Sequence, residues 1–141
     1  MNFSEKFHLN LKTGKEKFNF NDKDFDFALS DFWRWSVSDI LSNATRGILA
    51  EFIVAKALGA DVEKARNEWD AYDLITDDGI KIEVKSSAYL QSWEQAGYSH
   101  IRFNTGVSRP WDWSVDKRSA IPIRSADIYV FCLLTIRIKQ R

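Results

Sequence analysis

Three side chains able to act on a phosphoryl group lie in the segment WDAYDLITDDGIKIEVKSS: the carboxylates of Asp73 and Glu83 and the ammonium of Lys85. Ile80–Ser87 reads as a strand, and side chains on a strand alternate between its faces. Lys81, Glu83 and Lys85 therefore share one face, while Ile80, Ile82 and Val84 share the other. Two carboxylates set side by side repel each other, and a divalent cation between them removes that cost. A metal so held polarises a phosphoryl oxygen and lowers the pKa of a bound water to make a nucleophile. An ammonium on the same stripe is placed to stabilise developing charge or to orient the attacking water.

Whether Asp73 reaches Glu83 depends on the turn between Ala71–Thr76, a second expected strand, and Ile80–Ser87. Asp77-Asp78-Gly79 suits a three-residue hairpin loop, a type I turn closed by a left-handed glycine. That loop pairs Thr76 with Ile80, Ile75 with Lys81, Leu74 with Ile82 and Asp73 with Glu83. Directly opposed residues share a face with Cβ atoms about 5 Å apart. A two-residue loop would instead send Asp73 to the face opposite Glu83. The plainer alternative is a surface hairpin in which Glu83 and Lys85 are solvated and Asp73 pairs with a lysine.

A third acid, Glu51, precedes the hairpin on an expected helix. Its neighbours at three and four positions are Gly47, Ile48, Val54 and Ala55, so no ion pair along the helix accounts for it. A carboxylate buried alone there would be costly, and a metal or a lysine would resolve that. Otherwise Glu51 sits at the edge of the face and reaches water.

The elements that position these groups follow from periodicity. Leu29, Phe32, Trp33, Val37, Ile40 and Leu41 suit one face of a helix from Ala28 to about Leu41. Ser42 or Asn43 caps a second helix, which runs to Leu58 and stops at Gly59; its apolar positions are Ile48, Leu49, Phe52, Ile53, Ala55 and Leu58. Further strands are expected at Ser99–Asn104 and, covered on both faces, at Asp127–Leu134. Residues 1–27 carry scattered phenylalanines without clear periodicity and read as an irregular N-terminal arm, with room for a short strand, and 28–141 as the core of a single domain. Helices, then a hairpin, then buried strands give an α/β fold, a central mixed β-sheet flanked by helices.

The order helix glutamate, Asp73, Glu83-Val84-Lys85 resembles the PD-(D/E)xK nuclease superfamily, and RGILAEF looks like its first-helix Arg-Gly…Glu element. The resemblance covers roughly Thr45 to Gln91, with a looser match through Asp127–Leu134. Tyr72 stands where the motif name has proline. The resemblance implies a restriction-endonuclease-like fold and Mg²⁺-dependent phosphodiester hydrolysis, with Mn²⁺ as a substitute. By it, Asp73 and Glu83 are metal ligands with the Val84 carbonyl as a third, Lys85 is the catalytic lysine, and Glu51 is an accessory acid. The partner it implies is nucleic acid, DNA first, and a homodimer is expected where both strands are cut. Ser86, Ser87 and Gln91 follow the lysine and are available to touch substrate phosphates or the active site, Gln91 in the place of a functional glutamine found on the following helix in some branches. Equally, they make a strand end and a helix cap with a solvated amide. A non-catalytic nucleic-acid-binding or protein-interaction module on the same fold is the alternative.

Among the cations, Arg46, Arg66, Lys81, Arg118 and Arg124 are available to a phosphate path. Trp93, Trp111 and Trp113, near Arg109, either stack on bases or complete the core. Twenty basic and twenty acidic residues cancel, which argues against a protein that grips nucleic acid by bulk charge. No apolar run approaches the roughly 20 residues that span a bilayer, and the opening MNFSEKFHLN does not read as a secretory signal. One cysteine, Cys132, fits a small core residue in a reducing cytoplasm. His8, His100 and Cys132 lack zinc-ligand spacing, and no glycine-rich phosphate loop is present.

Overall fold

The computed structural model describes residues 10–66, 70–109, 111–112 and 117–137. They form two compact units: one holds the described residues up to Ser38 together with Val62–Arg66, the other Asp39–Asp61 and those from Asp70 onward.

The first unit is built on a hairpin where the sequence suggested an irregular arm. Strands β1 (Lys17–Phe20) and β2 (Lys23–Ala28) pair antiparallel, with Phe20 opposite Lys23. Asn21 and Asp22 make the two-residue turn at φ of 50° and 59°, the left-handed pair that a type I′ turn requires. On this ribbon Phe27 meets Phe18 and Phe25, each pair with ring centroids 5.2 Å apart. Helix α1 (Leu29–Val37) follows directly, its entry held by the Ala28 N–H donating to the Asp31 carboxylate at 2.8 Å. It groups with the hairpin and Val62–Arg66, not with Asp39–Asp61 or the residues from Asp70 onward. It also stops short of Leu41, because the chain from Asp39 turns: the Asp39 side chain accepts the N–H groups of Leu41 and Ser42 at 3.0 and 3.2 Å.

The second unit is α/β. Helix α2 (Asn43–Leu58) begins after Ser42 and ends where the sequence places its stop, with Gly59 left-handed at φ 67° and the Ala60 N–H donating to the Ala55 carbonyl. Strands β3 (Leu74–Ile75), β4 (Lys81–Ala88) and β7 (Ile128–Leu134) form a mixed sheet in the order β3-β4-β7, antiparallel on one side of β4 and parallel on the other. A short ladder of β5 (Trp111–Asp112) and β6 (Lys117–Arg118) stands apart.

Helix α2 packs on β4 through Ala50, Val54, Ile82 and Val84, with Leu74, Ile80, Val130 and Cys132 around them. The expected wider apolar face of α2 is not what is buried. Ile48, Phe52 and Ile53 are exposed, and the inward stripe is Arg46, Ala50, Glu51, Val54 and Ala55.

Three further expectations change. Ser99–Asn104 forms no strand, because among the described residues it finds no ladder partner. Strand β7 is not covered on both faces: Val130 and Cys132 meet the core, while Ile128, Phe131 and Leu133 remain exposed. The residues after β4 make bends where a helix was expected to carry Gln91. Among the described residues no helix is long and apolar enough to cross a membrane.

Candidate active site

The hairpin register decides where Asp73 goes. Leu74 pairs with Ile82 and Ile75 with Lys81, as the three-residue loop requires. Gly79 is left-handed at φ 83°, its N–H donates to the Thr76 carbonyl at 2.9 Å, and the Thr76 N–H donates to the Ile80 carbonyl at 3.0 Å. The ladder stops one residue before the site, however. Asp73 is not a strand residue directly opposed to Glu83: its N–H donates to the Ile82 carbonyl at 3.0 Å, and its carboxylate accepts the Val84 N–H at 2.7 Å. The side chain thus caps the exposed edge of β4 where β3 ends.

Asp73 nevertheless lies within the field of the other predicted groups. Its pKa is raised above the ordinary carboxylate value, chiefly by burial. The Val84 N–H opposes that shift, the charges of Glu51 and Glu83 add to it, and Lys85 counters it. Glu51 is buried on α2. Glu83 and Lys85 form an ion pair, with their side chains 22% and 36% exposed, so the pair is half in water and contributes little to stability. Asp73 Oδ1 and Glu83 Oε2 make no hydrogen bond with any described residue. Among the described residues no group of three or more His, Cys, Asp or Glu side chains is arranged to hold a metal ion.

A cleft of about 350 Å³ opens beside Glu83 and Lys85. Tyr129 of β7, paired with Glu83, lines it from the sheet; Arg102, Asn104, Ser108 and Ser125 line it from the loops. Asp73 and Glu51 are not part of this lining. The Arg102–Ser108 segment is held by Phe103 stacking on Phe131 at 4.7 Å, by Arg124 donating to the Thr105 carbonyl at 3.0 Å, and by Ser108 bridging to Ile123. None of these cleft residues was singled out in the sequence. The one available signal was alternation, which puts Arg102 and Asn104 on the side opposite Phe103.

Two predicted nucleic-acid contacts turn inward instead. Arg46 and Gln91 are each only 7% exposed. Arg46 donates to the Leu41 carbonyl (2.7 Å), Asn43 (2.5 Å), Ser86 (3.2 Å) and the Gln91 side-chain carbonyl (3.1 Å). The Gln91 amide in turn donates to the Ala88 carbonyl and Ser99. This network fixes the start of α2 to the end of β4, and burial pulls the Arg46 pKa below the ordinary guanidinium range. Ser86 is held by it and also borders the cleft. Ser87 is half-buried at the end of β4. Lys81 is exposed, its ammonium 5.6 Å from the centre of the Tyr72 ring. Trp93 and Trp111 are exposed and do not complete the core, while Trp113 lies outside the described residues.

A family model described as bacteriophage T4 endonuclease IV matches residues 7–140. No curated protein and no solved structure matches the chain. With nearly its whole length matched, the chain belongs to the bacteriophage T4 endonuclease IV family, a family of nucleases.

Proposed function

We propose that this member of the bacteriophage T4 endonuclease IV family is a metal-dependent endonuclease of the PD-(D/E)xK type that hydrolyses phosphodiester bonds in DNA. The observation that carries the reading is the electrostatic company of Asp73: a partly buried carboxyl that feels Glu51, Glu83 and Lys85 at once, beside a cleft bordered by the last two. A carboxyl perturbed by burial and by specific charge partners beside a cleft is a functional-site candidate.

The donor set suits Mg²⁺, with Mn²⁺ as a substitute. Mg²⁺ is commonly bound by one or two carboxylates, with waters and substrate phosphate completing six ligands. Among the described residues Asp73 and Glu83 each keep one oxygen without a hydrogen bond, and a cation there would offset both the burial and the like charges that raise the Asp73 pKa. When bound, the ion supplies charge to a phosphoryl oxygen and acidifies a water.

The chain's own residues do the rest. The Val84 N–H orients the Asp73 carboxylate. Glu83 holds the Lys85 ammonium at the cleft, where it can accept charge from the phosphate under attack. Glu51 is the accessory acid behind Asp73. Arg46 and Gln91 act as positioning residues that fix the end of β4, not as contacts to nucleic acid.

The test is a cleavage assay on plasmid, linear, branched and RNA substrates with Mg²⁺, Mn²⁺ or chelator, using Lys85→Ala as control. Metal-dependent cutting lost in Lys85→Ala supports the proposal. Cutting as fast by Lys85→Ala as by wild type sinks the site. No cutting of any substrate, with no metal-induced rise in melting temperature, leaves a non-catalytic binding module as the better description.

A further inference from the structure

We infer that Arg102 is the substrate-phosphate clamp of the cleft and that Ser125 donates a second hydrogen bond to the same stretch of backbone. The inference rests on the nuclease reading above and adds to it the residues that hold the substrate.

Arg102 borders the same cleft as Lys85 and Glu83. It is exposed, and it makes no hydrogen bond or ion pair with any described residue. Its backbone is nonetheless well placed, since its neighbour Phe103 is stacked on Phe131 of the sheet. The stacking of Phe103 on Phe131 holds this segment against the sheet, and Arg102 borders the cleft together with Phe103. A forked guanidinium on an anchored segment, with no partner among the described residues and beside a cleft with a second cation, suits bidentate binding of a phosphodiester.

Ser125 supplies an independent observation. Its hydroxyl oxygen is shielded from solvent yet has no hydrogen-bond partner among the described residues, and Ser125 lines this cleft. Buried hydroxyls are nearly always bonded, and an orphan calls for a reason. A turn of the Ser125 side chain toward the cleft, where it would meet a phosphate or sugar oxygen, would satisfy it. The other basic groups fit less well. Arg46 is committed to its internal network, and Arg124 donates to the Thr105 carbonyl. The clamp is therefore local and independent of sequence, which accords with a chain whose net charge is zero.

The experiment measures binding of a fluorescent DNA oligonucleotide to the full chain in chelator across a salt series, and cleavage with Mg²⁺ in parallel. Neutralising one phosphate contact lowers the slope of log K against log salt by roughly 0.7–0.9. Arg102→Gln should lower the slope by that amount and raise KM about tenfold or more with kcat little changed. Arg102→Lys should restore most of the slope but less of the affinity, and Ser125→Ala should raise KM several-fold with the slope intact. If wild type cuts DNA while Arg102→Gln keeps both slope and KM, the clamp is refuted and the nuclease reading stands. If wild type neither cuts nor binds, both readings fall together.

Discussion

Asp73 carries the sharpest prediction, because two substitutions there separate its hydrogen bond from its charge. Asp73→Ala removes both, leaving the N–H of buried Val84 without the acceptor it has at 2.7 Å. An unmade bond to a buried donor costs about 1–3 kcal/mol. Asp73→Asn keeps an oxygen acceptor for that N–H and removes only the charge. That charge is disfavoured where it sits, since burial and the charges of Glu51 and Glu83 raise the Asp73 pKa. Between the ordinary carboxylate value and the raised one, the folded chain holds a proton that the unfolded chain has lost. Its stability therefore falls as pH rises through that window and stays lower above it. In chelator at neutral pH, Asp73→Asn should be more stable than wild type and more stable than Asp73→Ala by about 1–3 kcal/mol. Its stability should also lack the downward slope with pH. Mg²⁺ should narrow or reverse the first gap: at a hundredfold excess over Kd, binding adds about 2.7 kcal/mol to wild type and nothing to either variant. Urea unfolding with and without Mg²⁺ reads all of this from the midpoints. Equal midpoints for the two variants in chelator would show that the Asp73–Val84 bond is not made. Stabilisation of Asp73→Asn by Mg²⁺ as strong as that of wild type would place the metal elsewhere.

Other substitutions divide folding from chemistry. Lys85→Ala loses a half-exposed ion pair, so unfolding should move by less than about 1 kcal/mol while kcat drops roughly 10²-fold or more, read by denaturation and cleavage on the same preparation. Arg46→Ala strips donors from Leu41, Asn43, Ser86 and Gln91 and should destabilise by about 3 kcal/mol or more in urea unfolding. Arg46→Lys should not restore it, since an ammonium lacks the forked donors. Gly59→Ala meets no atom within 4 Å but must hold φ at 67°, so about 1–2 kcal/mol is lost, measurable as a shift in urea midpoint at unchanged m-value.

The elements that were legible are those whose signals are local. Gly79 closing Asp77-Asp78 set the hairpin register, and Gly59 ended α2, because each glycine supplies a left-handed backbone within its own turn. The β1–β2 hairpin is equally local but more weakly signalled, leaving room for no more than a short strand in an irregular arm. Phe18 and Phe20 alternate before Asn21-Asp22, Phe25 and Phe27 after it, yet the turn lacks the glycine that usually announces such a hairpin. What sequence could not supply is long-range bonding. Arg46 and Gln91 look like free polar side chains until the fold brings α2 against the end of β4. Asp73 was expected to stand opposite Glu83 in a ladder. Its carboxylate instead takes the Val84 N–H, and that local competition between side chain and backbone ends β3 at Leu74.

The deeper economy lies in β4, where one strand serves two purposes on alternate residues. Ile82 and Val84, 2% and 8% exposed, are locked beneath Ala50 and Val54 of α2. Glu83 and Lys85 between them can point only the other way, toward the cleft. The packing that stabilises the sheet thereby also fixes the backbone from which the reactive groups project, and the Val84 N–H extends that order to Asp73. On the proposed reading, a site so held has little geometry left to search when substrate arrives, and orientation of this kind raises rate. Nor, on that reading, does the balanced charge of the chain count against a nucleic-acid substrate, because Lys85 and Arg102 border one cleft.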